Sequence, residues 1–441
     1  MRTAAFHNLG CKVNAYETEA MQQLLEAAGY QIVPFQEKAD VYLINTCSVT
    51  NIADRKSRQM LHRAKKQNPE AVVVAAGCYV QAASEELKKD LSVDIIIGNN
   101  KKQELASILE DYFREKERQG SHAFVIDIGA PHEYEELKIS RIADHTRAFL
   151  KVQDGCNQFC SYCIIPYTRG RVRSRRPEDV VEEVEKLAAA GYREVVLTGI
   201  HLSSYGVDFP KEEPENLLGL IKRIHGIEGI CRIRLGSLEP RIITEEFVRE
   251  LRALPKVCPH FHLSLQSGCD ETLRRMNRHY TTEDYAARCQ ILREYYDDPA
   301  ITTDVIVGFP GETEEEFAKT RTFLEQIGFY EMHIFKYSRR AGTRADRMPD
   351  QVPEPVKHAR SETLLALEKQ MSEAYRRRCL GKAQTVLLEE EAVVDGRPCM
   401  VGFTPAYVKA ALPCGEGTPG KNELVTGVPE ALLDGELLMF P

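Results

Sequence analysis

Residues 148–163 read AFLKVQDGCNQFCSYC. An apolar run of strand length leads straight into three thiols, Cys156, Cys160 and Cys163, in a CxxxCxxC spacing with no fourth cysteine close behind. Three readings compete for this loop. Structural zinc is almost always closed by four protein ligands, commonly in CxxC or HxxxH pairs. Here the first gap is three residues, and the nearest spare histidine, His201, lies far along the chain. A disulfide would leave one thiol over in a chain with no other secretory feature. An iron–sulfur cubane held by three thiolates, with one iron left for a small chelating molecule, fits the count. The loop's position also bears on the fold, because parallel α/β architectures carry their chemistry at the carboxyl ends of strands.

Onward from this loop the chain counts out six strand-then-helix units. Their strands are AFLKVQ, EVVLTGI, CRIRLGS, HFHLSLQSG, ITTDVIVGF and EMHIFKYS. Six such units within residues 144–375 predict an incomplete parallel barrel, a partial (βα)6 core rather than an eight-fold one. Before it, residues 1–118 alternate apolar runs with helical patterns, as in DVYLINTC then NIADRKSRQMLHRAKKQ. That alternation predicts an open parallel α/β sheet covered by helices. Cys11, Cys47 and Cys78 each sit just after an apolar strand and just before a helix. Buried cysteines can serve as small apolar residues. Their shared placement at strand ends instead favours convergence on one crevice and a second three-thiolate cluster. Residues 119–143 read as a linker, with one strand, HAFVIDI, and the polar stretch PHEYEELKISRIAD running out of it. After a helix from about Pro355 to Arg378, residues 376–441 hold short β-type runs between Gly/Pro turns. They predict a small β-barrel, a shape that can bind oligonucleotides.

The chain has 441 residues, 43% hydrophobic and 28% charged, an ordinary soluble balance with material for several cores. The N-terminal stretch has no long apolar run, which argues against a signal peptide, and no later segment approaches a membrane span. A cytoplasmic location is expected, where thirteen cysteines read as buried thiols and metal ligands rather than disulfides. A net charge of −8 disfavours indiscriminate nucleic-acid binding but permits a local basic patch.

The flanking motifs carry a resemblance. NLGCKVN, INTCSVT, AAGCYVQ, the loop running on to YCIIPYTRGRVRSR, LQSGCDETLRRMNRHYT, VIVGFPGET and FKYSRRAGTRA together resemble the methylthiotransferases of the radical S-adenosylmethionine superfamily. The likeness spans nearly the whole chain in the family's order, ending in a TRAM-like barrel. TCSVTNIADRKSRQ is similar to the branch that converts N6-threonylcarbamoyladenosine at tRNA position 37 to its 2-methylthio form. The alternatives within the family are isopentenyladenosine-37 of tRNA and a ribosomal protein aspartate. Outside it stands a non-catalytic, metal-stabilised RNA-binding adaptor.

The resemblance implies a division of labour. Cys156, Cys160 and Cys163 would hold a [4Fe–4S] cluster whose open iron chelates S-adenosylmethionine, and reductive cleavage would give a 5′-deoxyadenosyl radical that takes the substrate hydrogen. Cys11, Cys47 and Cys78 would hold an auxiliary [4Fe–4S] cluster carrying the sulfur, which a second S-adenosylmethionine methylates. No side chain is expected as acid or base catalyst, since an aromatic C–H is beyond groups tuned to neutral pH. A flavodoxin-like or ferredoxin-like protein would supply electrons. Tyr162, Gly199, Ser237, Gln266 and Gly308 are expected beside the cofactor, the last because a glycine after a strand lets a ligand approach the backbone. Arg169, Arg171, Arg173, Arg175 and Arg176 are expected on RNA, since guanidinium forks suit phosphate; the basic helix containing Arg55, Lys56 and Arg58 is a further candidate. The C-terminal barrel cuts the other way: from residue 383 on it has nine acidic residues against three basic ones, a poor composition for gripping phosphate.

Overall fold

The computed structural model describes residues 1–114, 122–139, 146–212 and 214–441. Six parallel strands form the N-terminal sheet: β1 (Thr3–Asn8), β2 (Gln31–Val33), β3 (Val41–Thr46), β4 (Val72–Gly77), β5 (Ile95–Ile97) and β6 (His122–Phe124), in the order β2-β1-β3-β4-β5-β6. Every residue of β3, β4 and β5 is buried, as expected of strands covered by helices on both faces. One face packs Tyr42, Ile44, Val73 and Ile96 into a core; the other packs Leu43, Val74, Ile95 and Ile97. Strand order reverses between β1 and β3, which places a crevice at their carboxyl ends. Cys11 occupies the N-cap position of the helix Lys12–Ala27 there without a side-chain cap bond, and Thr50 caps the helix Asn51–Gln67 by accepting from Ala53 N at 3.1 Å.

The six central strands are parallel and follow chain order. β7 (Arg147–Asp154) pairs with β9 (Glu194–Gly199), and β9 with β10 (Arg232–Leu235). β11 (His260–His262) pairs with β12 (Ala300–Val307), and β12 with β13 (Glu331–Lys336). A parallel bridge, Leu238 to Leu263, links the two sets. A two-residue strand, β8 (Arg173–Ser174), returns antiparallel along β7 and lies outside the six-unit pattern. The largest apolar core fills the space between these strands and their helices, including Val195, Ile233, Phe261, Val305 and Leu324.

The helix Glu354–Arg378 leads into the C-terminal sheet. Its strands are β14 (Gln384–Val394), β15 (Arg397–Phe403), β16 (Lys409–Pro413), β17 (Leu424–Gly427), β18 (Ala431–Leu433) and β19 (Leu437–Met439), in the order β17-β14-β15-β16-β19-β18. All pairings are antiparallel except β16 with β19. Among the described residues no helix is long and apolar enough to cross a membrane.

One sequence expectation needs correction. HAFVIDI is strand only over its first three residues. The polar stretch after it packs against its neighbours. Glu135, Leu137 and Ile139 are buried, Leu137 O accepts from the Tyr16 hydroxyl, and Gln103 N donates to the Glu135 carboxylate at 3.0 Å. The ends of the expected linker, around residues 119 and 143, lie outside the described residues.

Candidate active site

The loop after β7 is shaped by its backbone. Gly155 has φ +70°, and a Cβ there would lie 1.8 Å from the Arg171 carbonyl oxygen, so only glycine fits. Cys156 N donates to Gly170 O at 3.0 Å and Cys163 N to Cys160 O at 3.0 Å. Ser161 pins the middle of the loop: its N–H donates to Met276 O at 2.9 Å, its hydroxyl to Arg275 O at 2.8 Å, and its carbonyl accepts from Ala345 N at 2.7 Å. The three thiols thereby line one cavity of ≈ 140 Å³. Burial pushes the Cys156 thiol up to about 11 and Cys163 up to about 12, so both stay neutral until a cation arrives. Cys160 accepts a hydrogen bond from Arg278 Nη1 at 3.3 Å. Three soft donors, no fourth cysteine and a guanidinium beside them suit an iron–sulfur cluster with one free iron.

Tyr162, Ser237 and Gln266 line this cavity, as expected. Gly199 and Gly308 do not. Gly199 packs on the Gln153 side chain, and its neighbours Ile200 and His201 face the cavity in its place. Gly308 lies under the helix Glu354–Arg378, where a Cβ would meet Lys357 Cγ at 2.3 Å. Sequence reasoning missed Arg278, which sits in a cation-rich run, RRMNRH, without a periodic cue to single it out. His201, too far along the chain to close a zinc site with the loop cysteines, lines the same cavity. Its Nδ1 pairs with the Ser204 hydroxyl at 2.7 Å, while its buried Nε2 has no partner among the described residues. Burial, then the charges of Arg278 and Arg241, hold the ring down at about 4, so it is neutral near pH 7.

The second thiol trio gathers at the crevice of the N-terminal sheet, where Cys11, Cys47 and Cys78 follow β1, β3 and β4. The thiol of Cys11 feels Cys78, and that of Cys47 feels both others. Burial raises Cys11 and brings Cys47 up to about 11. Cys78 accepts from Arg169 Nε at 3.2 Å and from Asn99 Nδ2 at 3.6 Å. The remaining seven cysteines form no third trio, and five of them, Cys258, Cys269, Cys289, Cys379 and Cys399, are buried.

Arg169 overturns part of the RNA expectation. It is fully buried between the two thiol sites, donating to Glu17 at 2.9 Å, Asp154 at 3.1 Å and Asn14 Oδ1 at 2.7 Å. Arg173 and Arg175 are buried too, Arg173 3.6 Å from Asp154 and Arg175 2.5 Å from Glu183. Arg169 and Arg175 are engaged by internal carboxylates, while Arg173 is buried with its Nε and Nη2 lacking a hydrogen-bond partner among the described residues, so none of the three stands on the surface to meet phosphate. Arg171 and Arg176 are exposed. Arg171 lies 4.9 Å over the Phe159 ring, which meets Tyr167 edge-on at 5.9 Å. The carboxylate of Glu17 also takes Lys102 at 2.6 Å and Lys151 at 2.8 Å. Burial alone would raise its pKa, but Arg169, Lys102 and Lys151 hold it well below the usual carboxylate range.

Below the cysteine cavity a further group missed in the sequence comes together on β11, β12 and β13. His262, Asp304 and His333 bring ligand atoms within 4.8 Å of one another. His262 Nε2 is 3.2 Å from Asp304 Oδ2, and the two histidine rings stack at 5.7 Å. The legible signal was positional: each lies on a neighbouring strand near the same level, Thr302 opposite His262 and Asp304 opposite His333.

Comparison with known proteins gives two family matches, the radical SAM superfamily over residues 150–324 and the uncharacterized protein family UPF0004 over residues 3–98. The threonylcarbamoyladenosine tRNA methylthiotransferase MtaB of Bacillus subtilis (strain 168) is 43% identical over 422 residues, covering 96% of this chain and 92% of its own. The tRNA-2-methylthio-N(6)-dimethylallyladenosine synthase of Caldicellulosiruptor saccharolyticus is 39% identical over 390 residues, 86% of this chain and 80% of its own. Among solved structures, the radical S-adenosylmethionine methyltransferase TsrM of Kitasatospora setae superposes with a TM-score of 0.57 at 16% identity, covering 78% of this chain and 74% of its own, a likeness of fold.

Proposed function

Because this chain belongs to the tRNA methylthiotransferases of the radical S-adenosylmethionine superfamily, we propose that it replaces the C2 hydrogen of N6-threonylcarbamoyladenosine-37 in tRNA with a methylthio group. The observation that carries this is the pairing of two three-thiol sites across one buried arginine, each offering three soft ligands and no fourth cysteine. On this reading Cys156, Cys160 and Cys163 hold one [4Fe–4S] cluster, and Cys11, Cys47 and Cys78 hold another. Bound there, the clusters and two molecules of S-adenosylmethionine supply hydrogen abstraction and the methylated sulfur.

The chain's own residues do the orienting. Gly155 and Ser161 fix the loop that presents three thiols to the cavity. Arg278 places positive charge against Cys160. His201, with a free and neutral ring nitrogen, and Ser237, Glu239 and Gln266 offer polar atoms to the sulfonium cofactor. Arg171, with Phe159 and Tyr167, forms an exposed cationic and aromatic shelf beside the loop, suited to stacking RNA bases and meeting phosphate. Residues 1–118 then carry the sulfur site, 144–375 the partial barrel and the radical chemistry, and 376–441 a TRAM-like barrel, with 119–143 between. A flavodoxin-like or ferredoxin-like protein reduces this cytoplasmic enzyme.

The test is direct. Cluster-loaded, reduced protein is offered tRNA bearing threonylcarbamoyladenosine, tRNA bearing isopentenyladenosine, and ribosomal protein, and the product is read by mass. Methylthio product on the first is expected, with about eight irons per chain. Product only on another substrate would overturn the assignment.

A further inference from the structure

The face of β11 turned away from the helices belongs to a cluster that neither thiol trio uses. Phe261, Leu263 and Leu265 pack into the main core, so by alternation His262 and Ser264 point the other way, into the partial barrel. Ser264 lines the cysteine cavity, and His262 lies two residues, about 6.6 Å, below it. Asp304 on β12 and His333 on β13 are register partners. The three residues bring one ligand atom each within 4.8 Å of the others. His262 Nδ1 pairs with the hydroxyl of buried Thr302 at 3.0 Å. That oxygen can take the ring N–H, which leaves Nε2 as a lone-pair nitrogen 3.2 Å from Asp304 Oδ2. Two electron-rich atoms so close need a cation between them. A proton would satisfy that pair alone. The third residue points to a metal ion, because the His333 ring, stacked at 5.7 Å on His262, adds nothing to a two-atom hydrogen bond and completes a three-ligand shell.

The spacing and the donor set agree on the kind of ion. Ligand atoms on tetrahedral zinc, with bonds of about 2.0–2.1 Å, stand roughly 3.3 Å apart, close to the His262–Asp304 separation. His333 is exposed and can turn its ring through the remaining distance. Thr302 supplies the oxygen that metal-bound imidazoles use to fix their tautomer and orientation. Two imidazoles and one carboxylate suit zinc and similar first-row ions, whereas magnesium and calcium take shells of oxygen. We propose that His262, Asp304 and His333 bind one divalent transition ion of the zinc class, apart from both thiol trios, with Thr302 orienting His262. Three protein ligands leave a fourth position for water or for an oxygen of a bound molecule. Partly exposed Asp304 and exposed His333 give the ion a path from solution. This site stands independently of which substrate the enzyme modifies.

The experiment is equilibrium dialysis of the cluster-loaded full chain against buffered zinc chloride, with zinc and iron both counted. The native protein is expected to take up one zinc per chain at constant iron, and excess magnesium should not displace it. X-ray absorption at the zinc edge should show only nitrogen and oxygen neighbours at about 2.0–2.1 Å, without the sulfur shell at about 2.3 Å that a thiol site would give. Asp304→Asn and His333→Ala should abolish this uptake, and Thr302→Val should weaken it by about tenfold to a hundredfold, the effect of losing an imidazole's supporting partner. Zinc should also raise the melting temperature of the native protein and leave that of His333→Ala unmoved. His333 is exposed, so its replacement keeps the fold even where a change at His262 does not. No zinc uptake by the native protein overturns the proposal. So does uptake that the Asp304 and His333 variants retain, which marks an adventitious ion only, or a sulfur shell with matching loss of iron.

Discussion

Arg169 closes a five-residue helix, Ile165–Arg169, and all of its guanidinium chemistry is directed inward. It joins Asp154, at the end of β7, to Glu17 and Asn14 on the first helix and to Cys78 after β4. One side chain thus ties the loop of one thiol trio to a thiol of the other. Arg169→Met keeps the apolar stem and removes the charge, leaving Asp154 and Glu17 buried with fewer partners. Breaking such a network by removing one member costs about 3–5 kcal/mol. We expect a clear fall in melting temperature and loss of iron from the Cys11–Cys47–Cys78 site, with Arg169→Lys intermediate. Unchanged melting and iron content would remove Arg169 from both roles. Nothing local in TRGRVRSRR announces this, because its acceptors lie as far as 155 positions away in the sequence. Alternating arginines read as a solvated basic strip, and only tertiary pairing separates buried Arg169, Arg173 and Arg175 from exposed Arg171 and Arg176.

Loops at strand ends carry the two thiol trios, and each is held by an element distant in the chain. Arg340, beyond β13, donates to Asp54 at 2.6 Å, to Ser48 Oγ at 2.7 Å and to Asn51 Oδ1 at 2.9 Å. The segment TCSVTN is thereby clamped by RRAGT, so two motifs that read as separate signatures are one contact. Arg340→Ala should cost about 3 kcal/mol for the lost charge-assisted bonds and free the turn around Ser48. The expected result is faster proteolytic cleavage near residue 50 and weaker iron retention at Cys47, with the loop at residues 156–163 intact. An unchanged cleavage pattern would refute the clamp. The elements themselves were largely legible. Six apolar runs gave the six central strands, and the three cysteines at carboxyl ends lie at the crevice that the strand order creates. β8 escaped notice because two residues carry no period. The packing of residues 131–139 has no sequence cue, because polar residues look solvated until partners such as Gln103 N or the backbone of β7 take them up.

On the scale of the whole molecule, the acidic C-terminal sheet is bolted to the floor of the six strands by their arginines. Arg232 donates to Phe403 O at 2.8 Å and Thr385 O at 2.7 Å, and Arg234 to Pro405 O at 2.8 Å. Arg147 pairs with Glu389 at 2.7 Å and lies 4.7 and 4.9 Å over the Phe403 and Tyr407 rings. Part of the acidic excess that looked wrong for RNA is used at this joint, which composition alone cannot reveal. His260 lies at the same junction, buried, with its ring 5.3 Å from Tyr407. Burial first, then Arg234, His262, Lys12 and His333, hold its folded pKa well below the ordinary histidine value. The unfolded chain therefore binds this proton more readily than the folded one. The stabilising neutral state is fully present above about pH 6.5, the unfolded histidine value, and the benefit is lost as pH falls below it, at up to about 1.4 kcal/mol per pH unit. His260→Phe keeps a ring against Tyr407 and removes the titration. Melting temperatures of the two proteins should run close together at pH 8 and diverge between pH 6.5 and 5, the native chain falling more steeply. Parallel curves across that range would show that His260 does not set the acid limit of the docked C-terminal sheet.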